Sequence, residues 1–398
     1  MTTAMHRRDL IMTAAGVVPL ALAGRAFATP PGAPRLLVVF LSGAYDAANV
    51  VAPTASSFYH EARPHIGLKR PDPADPDAAL ALDADWSLHP ALKATLYPLW
   101  SARQLAFVPF AGIDDFSRSH FETQAAIEVG QPPDGPRDGS SGFMGRLARQ
   151  LTGVKPIAFC GQMPLIFRGG PPIPNIDVAQ SAGPDLDAHT TDLIQRMYQG
   201  GGLASAVSEG FRVQDQVYAM DAQMSADPGA VSARGFELAA RRMGRMMRAD
   251  YGLAYVNVTG WDTHANQGGA DGYLALRLGE LGRGLSGLVQ ELGPQAWNDT
   301  TVVVISEFGR TFRQNGSGGT DHGHGTTYWV LGGSVVGGRL AGEQVKIEQA
   351  ALNQDRDFPV LNEYRAVLGG LFQRLYGLSP TSLEAVFPGG RPRDLGLV

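Results

Sequence analysis

The sequence contains very little cysteine and no strong excess of charge. Cys160 is the only cysteine in 398 residues, which excludes an intrachain disulfide and any metal site built from several cysteines. It follows an apolar segment at 156–159, so we expect a buried thiol that packs as a small hydrophobic group. The formal net charge is only −5, and this mild balance gives no indication of nucleic-acid binding.

Two motifs that would assign a function are also missing. A dinucleotide-binding fold would place G-x-G-x-x-G after the first apolar run, but only Gly43 is present there. The chain also lacks the G-x-S-x-G motif of α/β-hydrolases. A metal-free serine hydrolase that combines Ser119 with His322 or His324 and an acid is therefore the least favoured of three possible functions.

The N-terminal residues have the pattern of an export signal. Arg7 and Arg8 precede an apolar, alanine-rich stretch, and Ala26-Phe27-Ala28 forms an A-x-A cleavage site. The apolar run is too short to span a membrane. We therefore expect residues 1–28 to be a twin-arginine signal peptide recognised by the twin-arginine translocase. The mature chain would be periplasmic or secreted, without a transmembrane segment.

Apolar runs and helical patterns alternate along the mature chain, which predicts an α/β fold with a largely parallel sheet. Residues 35–41 and 302–305 have the composition of strands that are buried on both faces. We expect a single domain over 29–398 with a mainly helical insertion at about 186–250. Further strands are predicted at 105–110, 254–258 and 328–331, and helices at 86–105, 119–129, 143–151, 273–292 and 361–375.

Residues 301–333 carry the strongest functional signal. The strand at 302–305 runs directly into Glu307 and Arg310, and the loop that follows contains Asp321, His322 and His324. In open α/β sheets, ligands bind beyond the carboxyl ends of the strands. This density of acidic and imidazole side chains at one strand end predicts a metal site.

Polar side chains also follow other predicted strands. Asp262 and His264 come after the strand at 254–258, and their spacing of two residues lets both side chains reach one metal ion in an extended segment. Asp46 lies just past the carboxyl end of the first strand. The metal site is therefore predicted to draw its ligands from several strand ends at one edge of the sheet.

The turn before the helix at 119–129 allows two interpretations. Ser119 and Glu122 fit the S-x-x-E capping box. Ser119 could also be a nucleophilic hydroxyl at a helix N-terminus, where the helix dipole favours an anion. Both interpretations can hold for the same residue.

Together, these motifs resemble the DUF1501 family. The resemblance rests on FLSGAYDAANV, FSRSHFETQ, GWDTHANQ and SEFGRTFRQNGSGGTDHGHG. It implies the fold of the alkaline phosphatase-like superfamily, in which a mixed, mostly parallel sheet is sandwiched between helices. It also implies an exported metal-dependent hydrolase that acts on a phosphate or sulfate ester, or on a related anionic substrate borne by a small molecule or a polymer.

The same resemblance suggests roles for individual residues. Asp46 matches the acid after the first strand, and Ser119 matches the nucleophile, with Ser117 as the less favoured choice. The implied metal ligands are Asp46, Asp262, His264, Glu307, Asp321, His322 and His324. Arg118 or Arg310 could hold a phosphate or sulfate oxygen through its bidentate guanidinium.

Phe308 departs from the superfamily pattern, which has a histidine at that position. The departure leaves open whether the site holds one metal ion or two, and whether the ion is Zn²⁺ or a harder cation such as Ca²⁺ or Mg²⁺. No C/S-x-P-x-R signature occurs near Ser119, which argues against a type I sulfatase. The alternative is a non-catalytic exported binding or assembly protein with a partly decayed metal site.

Overall fold

The computed structural model describes residues 32–135, 138–178, 188–225 and 235–398. The predicted signal peptide lies outside these residues. The strands are β1 (Arg35–Leu41), β2 (Val51–Ala52), β3 (Leu80–Ala81), β4 (Ser87–Leu88), β5 (Leu105–Gly112), β6 (Pro156–Ala158), β7 (Leu253–Val258), β8 (Thr300–Ile305), β9 (Thr326–Gly332), β10 (Arg339–Leu340) and β11 (Asn362–Glu363).

The α-helices of the described residues occur between and after these strands. They are α1 (Ser57–Ala62), α2 (Tyr97–Ser101), α3 (His120–Val129), α4 (Phe143–Gln150), α5 (Ala188–Tyr198), α6 (Ala204–Ser225), α7 (Phe236–Ala249), α8 (Tyr273–Asn298), α9 (Tyr364–Tyr376) and α10 (Pro380–Val386). Helix α8 has a kink at Gly293, which is followed by Pro294.

A mostly parallel sheet forms the centre of the fold, in the order β10-β5-β9-β8-β1-β7-β6. Strand β1 pairs in parallel with β7 on one side and with β8 on the other. Strand β9 is antiparallel to both of its neighbours, β5 and β8. The chain is therefore a mixed α/β protein, and its central strands end at a common edge.

Both faces of the sheet are buried, as the apolar composition of the strands predicts. Successive side chains of a strand point to opposite faces. In β1, Leu37 and Val39 pack into a core with residues of α7 and α8, whereas Leu36 and Val38 pack into a second core with residues of α3, α4, α9 and α10. Layers of helices thus cover the sheet on both sides.

The strand at 328–331 does not follow the parallel pairing that strand–helix alternation suggests. A long loop without a helix joins β8 to β9, so the chain turns back and β9 runs antiparallel to β8. Because of this reversal, the start of β9 lies at the edge where β8 ends. The loop before β9 contains His322, so the reversal delivers that residue to the same edge.

The continuous helix predicted at 86–105 is wrong. The segment contains β4, a short 3₁₀ turn at Pro90–Leu92 and the short helix α2. The leucine spacing is real, and Leu88, Leu92 and Leu96 are all buried, but irregular structure buries them as well as a helix would. Helices α5, α6 and α7 fall in or beside the segment predicted as a helical insertion.

None of the helices in the described residues is both long enough and apolar enough to span a bilayer.

Candidate metal centre

Three strand ends and the loop before β9 converge at the carboxyl edge of the sheet. Strands β1, β7 and β8 are parallel neighbours, so the segments after Leu41, Val258 and Ile305 emerge side by side. Strand β5 runs in the same direction as β8, because both are antiparallel to β9. Its carboxyl end leads through a loop to the start of α3.

Helix α3 begins with His120, and its ends match the sequence signals. Ser119 is the N-cap, and its hydroxyl accepts a hydrogen bond from the Glu122 backbone N–H at 3.5 Å. Gly130 ends the helix in the left-handed conformation, with φ of 69°. His120 is therefore placed at the helix N-terminus, facing the strand ends.

Ligand-type atoms of His120, Asp262 and His322 all lie within 4.8 Å of one another. The Nε2 atoms of His120 and His322 are 2.9 Å apart. Oδ1 of Asp262 lies 3.5 Å from the His120 Nε2 and 3.4 Å from the His322 Nε2. Two ligands of one tetrahedral Zn²⁺ ion with bonds of about 2.0–2.1 Å are separated by roughly 3.3 Å. The trio therefore has the spacing of a metal site.

His264 adjoins this trio from the β7 side. Its Nε2 lies 2.9 Å from the Asp262 Oδ1 and 3.0 Å from the His322 Nε2. The side chains of Asp262 and His264 are 43% and 46% exposed. A cation bound among these atoms would be open to solvent and to a ligand, as catalytic metal sites are.

Each imidazole is oriented by a hydrogen bond at its other nitrogen. The Nδ1 of His120 lies 2.7 Å from the Glu307 carboxylate, and the Nδ1 of His322 lies 2.8 Å from the Arg118 carbonyl oxygen. The Nδ1 of His264 lies 3.3 Å from the Asp321 carboxylate. Acceptors at Nδ1 place the proton there and turn the Nε2 lone pairs toward the centre, which is the usual support of metal-binding histidines.

The environment shifts the pKa values of the donors in different directions. Burial lowers the pKa of His120, but the hydrogen bond and the charge of Glu307 outweigh it and raise this pKa overall. Burial lowers the pKa of His322, and the neighbouring His120 and Arg310 lower it further against the opposing bond to Arg118. Burial raises the pKa of Asp262, but Arg310 outweighs it, so this carboxyl stays ionised.

The donor set fits a cation better than it fits a proton. The Nε2 of His322 has one lone pair, yet it faces the ring nitrogens of His120 and His264 at 2.9 and 3.0 Å. A proton can bridge only one of these pairs, whereas a metal ion can accept a lone pair from every ring. His120, Asp262 and His322 would hold the ion, and His264 is placed to serve as a further ligand.

Arg310 and Glu307 support the centre from the end of β8. The buried guanidinium of Arg310 donates to the Asp262 Oδ1 at 2.7 Å and to the Thr320 hydroxyl at 3.2 Å. Glu307 is fully buried and accepts from the Gly43 backbone N–H at 2.7 Å as well as from His120. Glu307 was predicted as a metal ligand and Arg310 as a substrate-binding residue. In the structure Glu307 contacts the His120 ring, and Arg310 contacts the Asp262 carboxylate.

Asp46 is not part of this cluster. Its carboxylate is fully buried and forms a bidentate ion pair with Arg63, with Nη2–Oδ1 at 2.9 Å. The Gln267 amide also donates to the Asp46 Oδ2 at 2.7 Å. The contacts of Asp46 therefore give it a structural role, whereas the family resemblance implies a metal ligand.

His324 also points away from the centre. It is 3% exposed, stacks on Phe116 with ring centroids 4.4 Å apart, and lies 3.2 Å from the Asp114 carboxylate. Of the two late histidines in the DHGHG segment, His322 supplies the donor. Asp321 contributes through its contact with His264 and through a 3.1 Å bond from Asn315.

Arg118 and Ser119 lie beside the centre in the sequence, but neither side chain contacts its donors. The Arg118 guanidinium donates to Asp357 at 2.9 Å and to Gln354 at 3.0 Å, so only its backbone carbonyl contacts the donor set. Among the residues that the structure describes, the Ser119 hydroxyl makes only the long capping contact with the Glu122 N–H. The Ser117 hydroxyl lies 2.9 Å from that of Thr123.

His120 is a member of the site that the sequence pattern did not reveal. The FSRSHFE turn suggested a role for the serine hydroxyl and none for the histidine. A usable signal was present, because His120 is the first residue of a helix that follows a strand end, beside other candidate residues. Phe308, directly after Glu307, stacks on the His120 ring with centroids 4.9 Å apart.

The family model described as protein of unknown function (DUF1501) matches residues 33–387. The chain belongs to the DUF1501 family. No curated protein matches it. The matched range begins just before β1 and ends just after α10, so every donor of the centre lies within the DUF1501 region.

Proposed function

We propose that this DUF1501 protein is a metal-dependent hydrolase with an alkaline phosphatase-like fold, acting on a phosphate or sulfate ester or a related anionic substrate. The observation that carries the proposal is the convergence of the His120 and His322 Nε2 atoms with the Asp262 Oδ1 at 2.9 to 3.5 Å. A bound divalent ion would act as a Lewis acid toward a phosphoryl or sulfuryl oxygen.

The nature of the donors favours Zn²⁺. Imidazole nitrogen suits Zn²⁺ and related transition metals, whereas Ca²⁺ and Mg²⁺ prefer oxygen ligands. His120 and His322 supply two ring nitrogens against one carboxylate oxygen of Asp262, and His264 adds a third nitrogen close by. In the described residues, no second group of this kind is present, so we propose a single-ion site.

A bound cation would favour an anionic substrate. The carboxylates of Asp262, Glu307 and Asp321 would together balance the two charges of a divalent ion and the charge of the buried Arg310 guanidinium, which lies 2.7 Å from Asp262. The ion would still present its positive charge at the partly exposed side of the site, where it attracts and stabilises an anion. Arg310 thus acts through the charge of the site instead of through a direct bidentate contact.

Ser119 is the proposed nucleophile. It directly precedes His120 at the N-terminus of α3, where free backbone N–H groups stabilise a developing anion. Its capping contact of 3.5 Å is at the long limit of a hydrogen bond. The hydroxyl is therefore only weakly engaged.

The test begins with metal content. We expect the purified mature chain to retain about one equivalent of Zn²⁺, or to recover it after chelation and re-addition. His120→Ala and Asp262→Asn should abolish tight binding. Phosphomonoesters, phosphodiesters and sulfate esters should then be screened for hydrolysis that a chelator removes and Zn²⁺ restores.

The serine variants separate the possible outcomes. Ser119→Ala should abolish turnover while metal binding remains, and Ser117→Ala serves as the matched control. Turnover that survives in Ser119→Ala would reduce Ser119 to a helix cap. Metal binding without hydrolysis of any ester class would favour the alternative of a non-catalytic binding or assembly protein. A protein that binds no metal contradicts the proposal.

We also propose export by the twin-arginine route, on the basis of Arg7, Arg8 and the Ala26-Phe27-Ala28 segment. Cell fractionation should find the mature chain outside the cytoplasm. Replacing both arginines with lysine should retain an uncleaved precursor in the cytoplasm. An unchanged distribution in that variant would contradict the proposed route.

A further inference from the structure

Helix α3 carries a polar stripe along the face that packs on the sheet. His120, Gln124 and Glu128 are spaced by four residues, so their side chains lie on one face of the helix. Glu128 is 4% exposed and Gln124 is partly buried. Polar side chains in such a position require hydrogen-bond partners.

The partners of this stripe come from neighbouring elements. The Gln124 amide donates to the Glu128 carboxylate at 2.7 Å. Glu128 also accepts from the Tyr255 hydroxyl of β7 at 3.0 Å and from the Ile166 backbone N–H at 3.1 Å. The Ser42 hydroxyl, directly after β1, lies 2.9 Å from the Gln124 side-chain oxygen and 2.7 Å from the side-chain amide of Asn257 in β7. Because the Gln124 amide nitrogen already donates to Glu128, its oxygen accepts the Ser42 proton when the Asn257 amide donates to the Ser42 oxygen.

Two connections therefore lead from His120 to the neighbouring residues Ser42 and Gly43. On the first route, Glu307 accepts from the His120 ring and from the Gly43 backbone N–H, each at 2.7 Å. On the second, the backbone of α3 connects His120 to Gln124, which is bonded to Ser42. The ring of His120 and the helix that carries it are both anchored to the Ser42–Gly43 turn.

We infer that Gln124 is a positioning residue for the metal centre, and that its bond to Ser42 sets the height and rotation of α3 against β1. This inference rests on the proposed metal site. The first route orients the imidazole ring, but it cannot prevent the helix from sliding or rotating on the sheet. The Gln124–Ser42 bond restrains both movements, because it holds the helix itself at a second point, one turn beyond His120.

The test uses Zn²⁺ affinity and the visible absorption spectrum of the Co²⁺-substituted protein. Gln124→Met keeps the length of the side chain and removes its hydrogen bonds. We expect it to weaken Zn²⁺ binding about 10- to 100-fold, the range for residues that support metal ligands, and to change the Co²⁺ ligand-field bands. Ser42→Ala should have a similar effect.

A double-mutant cycle and a matched control give the inference its specificity. If Gln124 and Ser42 act through one bond, the double variant should lose little more affinity than either single variant. Tyr364→Phe removes a 3.3 Å bond from the Tyr364 hydroxyl to the Ala126 carbonyl of α3. It loosens the same helix outside the stripe and should leave Zn²⁺ affinity and the Co²⁺ spectrum unchanged.

Other outcomes overturn the inference in distinguishable ways. Wild-type Zn²⁺ affinity and Co²⁺ spectrum in Gln124→Met, or in Ser42→Ala if the first variant fails to fold, overturn this inference alone. If Tyr364→Phe weakens Zn²⁺ binding as much as Gln124→Met does, the effect reflects ordinary helix packing, and this result also overturns the inference. Absence of metal binding in the unsubstituted protein overturns the proposed function and this inference together.

Discussion

The Nε2 atoms of His120 and His322 lie 2.9 Å apart, although 202 residues of chain separate the two histidines. The Glu307 carboxylate and the Arg118 carbonyl occupy the Nδ1 atoms of the two rings. The lone pairs of both Nε2 atoms therefore face each other. At this distance they repel unless a proton or a cation lies between them.

The two histidines of the DHGHG segment should behave differently. We expect His322→Ala to remove tight Zn²⁺ binding, because it deletes a central donor. His324→Ala should leave the Zn²⁺ affinity within a few-fold of wild type, because His324 stacks on Phe116 outside the donor set. Isothermal titration of both variants with Zn²⁺ measures the difference. Equal loss in the two variants would contradict the assignment of His322.

Replacing Glu307 should weaken metal binding without removing a ligand. In Glu307→Gln the acceptor for the His120 N–H loses its charge, and we expect a drop in Zn²⁺ affinity of about 10- to 100-fold. Glu237→Gln is the matched control, because Glu237 is also buried but pairs with Arg283 on α8. Unchanged Zn²⁺ affinity in Glu307→Gln would show that Glu307 does not support His120.

Asp46 should matter for stability more than for metal binding. Asp46→Ala leaves the Arg63 guanidinium, whose side chain is 0% exposed, without its ion pair. Breaking such a buried pair costs about 3–5 kcal/mol. Urea unfolding followed by circular dichroism measures the loss, and a Zn²⁺ titration of the folded variant should match wild type.

The control for Asp46 is a surface ion pair. Asp75→Ala breaks the contact with Lys69, whose side chain is 64% exposed. We expect it to leave the free energy of unfolding almost unchanged, because solvent screens an exposed ion pair. A stable Asp46→Ala variant without Zn²⁺ binding would instead support the role that the family resemblance implies for Asp46.

Gly43 allows β1 and the Asp262 segment to approach each other closely. Its φ is 114°, and an added Cβ would lie 2.7 Å from the Asp262 backbone nitrogen. We expect Gly43→Ala to displace Asp262, lower stability and weaken Zn²⁺ binding at least about 10-fold. Thermal unfolding and a Zn²⁺ titration measure both effects.

Gly377 provides the matched control for Gly43. It also has a positive φ, 63°, but an added Cβ would meet nothing within 4 Å. Gly377→Ala should therefore cost only the strain of the left-handed conformation, roughly 1–2 kcal/mol, with Zn²⁺ affinity unchanged. Identical Zn²⁺ affinity in the two alanine variants would contradict the proposed role of Gly43.

Acidification should destabilise the fold through His89. Burial lowers the pKa of His89 to about 4 against the opposing bond to Gly269, and the side chain is fully buried. Below the ordinary histidine pKa of about 6.5, His89 becomes protonated in the unfolded chain but stays neutral in the folded chain. The free energy of unfolding therefore decreases as the pH is lowered from about 6.5 to about 4. The loss from this residue reaches about 3 kcal/mol.

Denaturant unfolding between pH 7 and pH 4 measures this effect. The Nδ1 of His89 accepts from the Ala91 backbone N–H, and asparagine can replace that acceptor without titrating. His89→Asn should therefore lose stability at pH 7 but show a shallower decline toward pH 4. The same slope in both proteins would assign the pH dependence to other groups.

Sequence patterns predicted the secondary structure well where an element buries a continuous apolar surface. Strand β1 occupies residues 35–41 as predicted, and α3 has the predicted cap residues Ser119 and Gly130. The prediction failed at 86–105, where regularly spaced leucines are buried by irregular structure. Spacing alone records that side chains are buried, but it does not record which backbone conformation buries them.

The candidate site was predicted in its location but not in its membership. Asp262, His264 and His322 were correctly placed near one another at the carboxyl edge, because parallel strands end together. Asp46 and His324 also follow strand ends or lie in the same loop, but they do not join the cluster. Asp46 is paired with Arg63, and His324 contacts Asp114. Which partner a side chain contacts depends on its rotamer and on backbone shifts of a few ångströms. Spacing along the chain does not determine either.

The sequence by itself determined that strand ends rich in Asp, Glu and His would meet at one edge of an α/β sheet, since apolar runs must be buried and parallel strands share direction. Only the tertiary structure decided that His120 lies next to His322 and Asp262. It also decided that Glu307 contacts His120 and that Arg310 contacts Asp262. These contacts depend on the reversal of β9 and the docking of α3 against β1, both of which arise from packing between residues far apart in the chain.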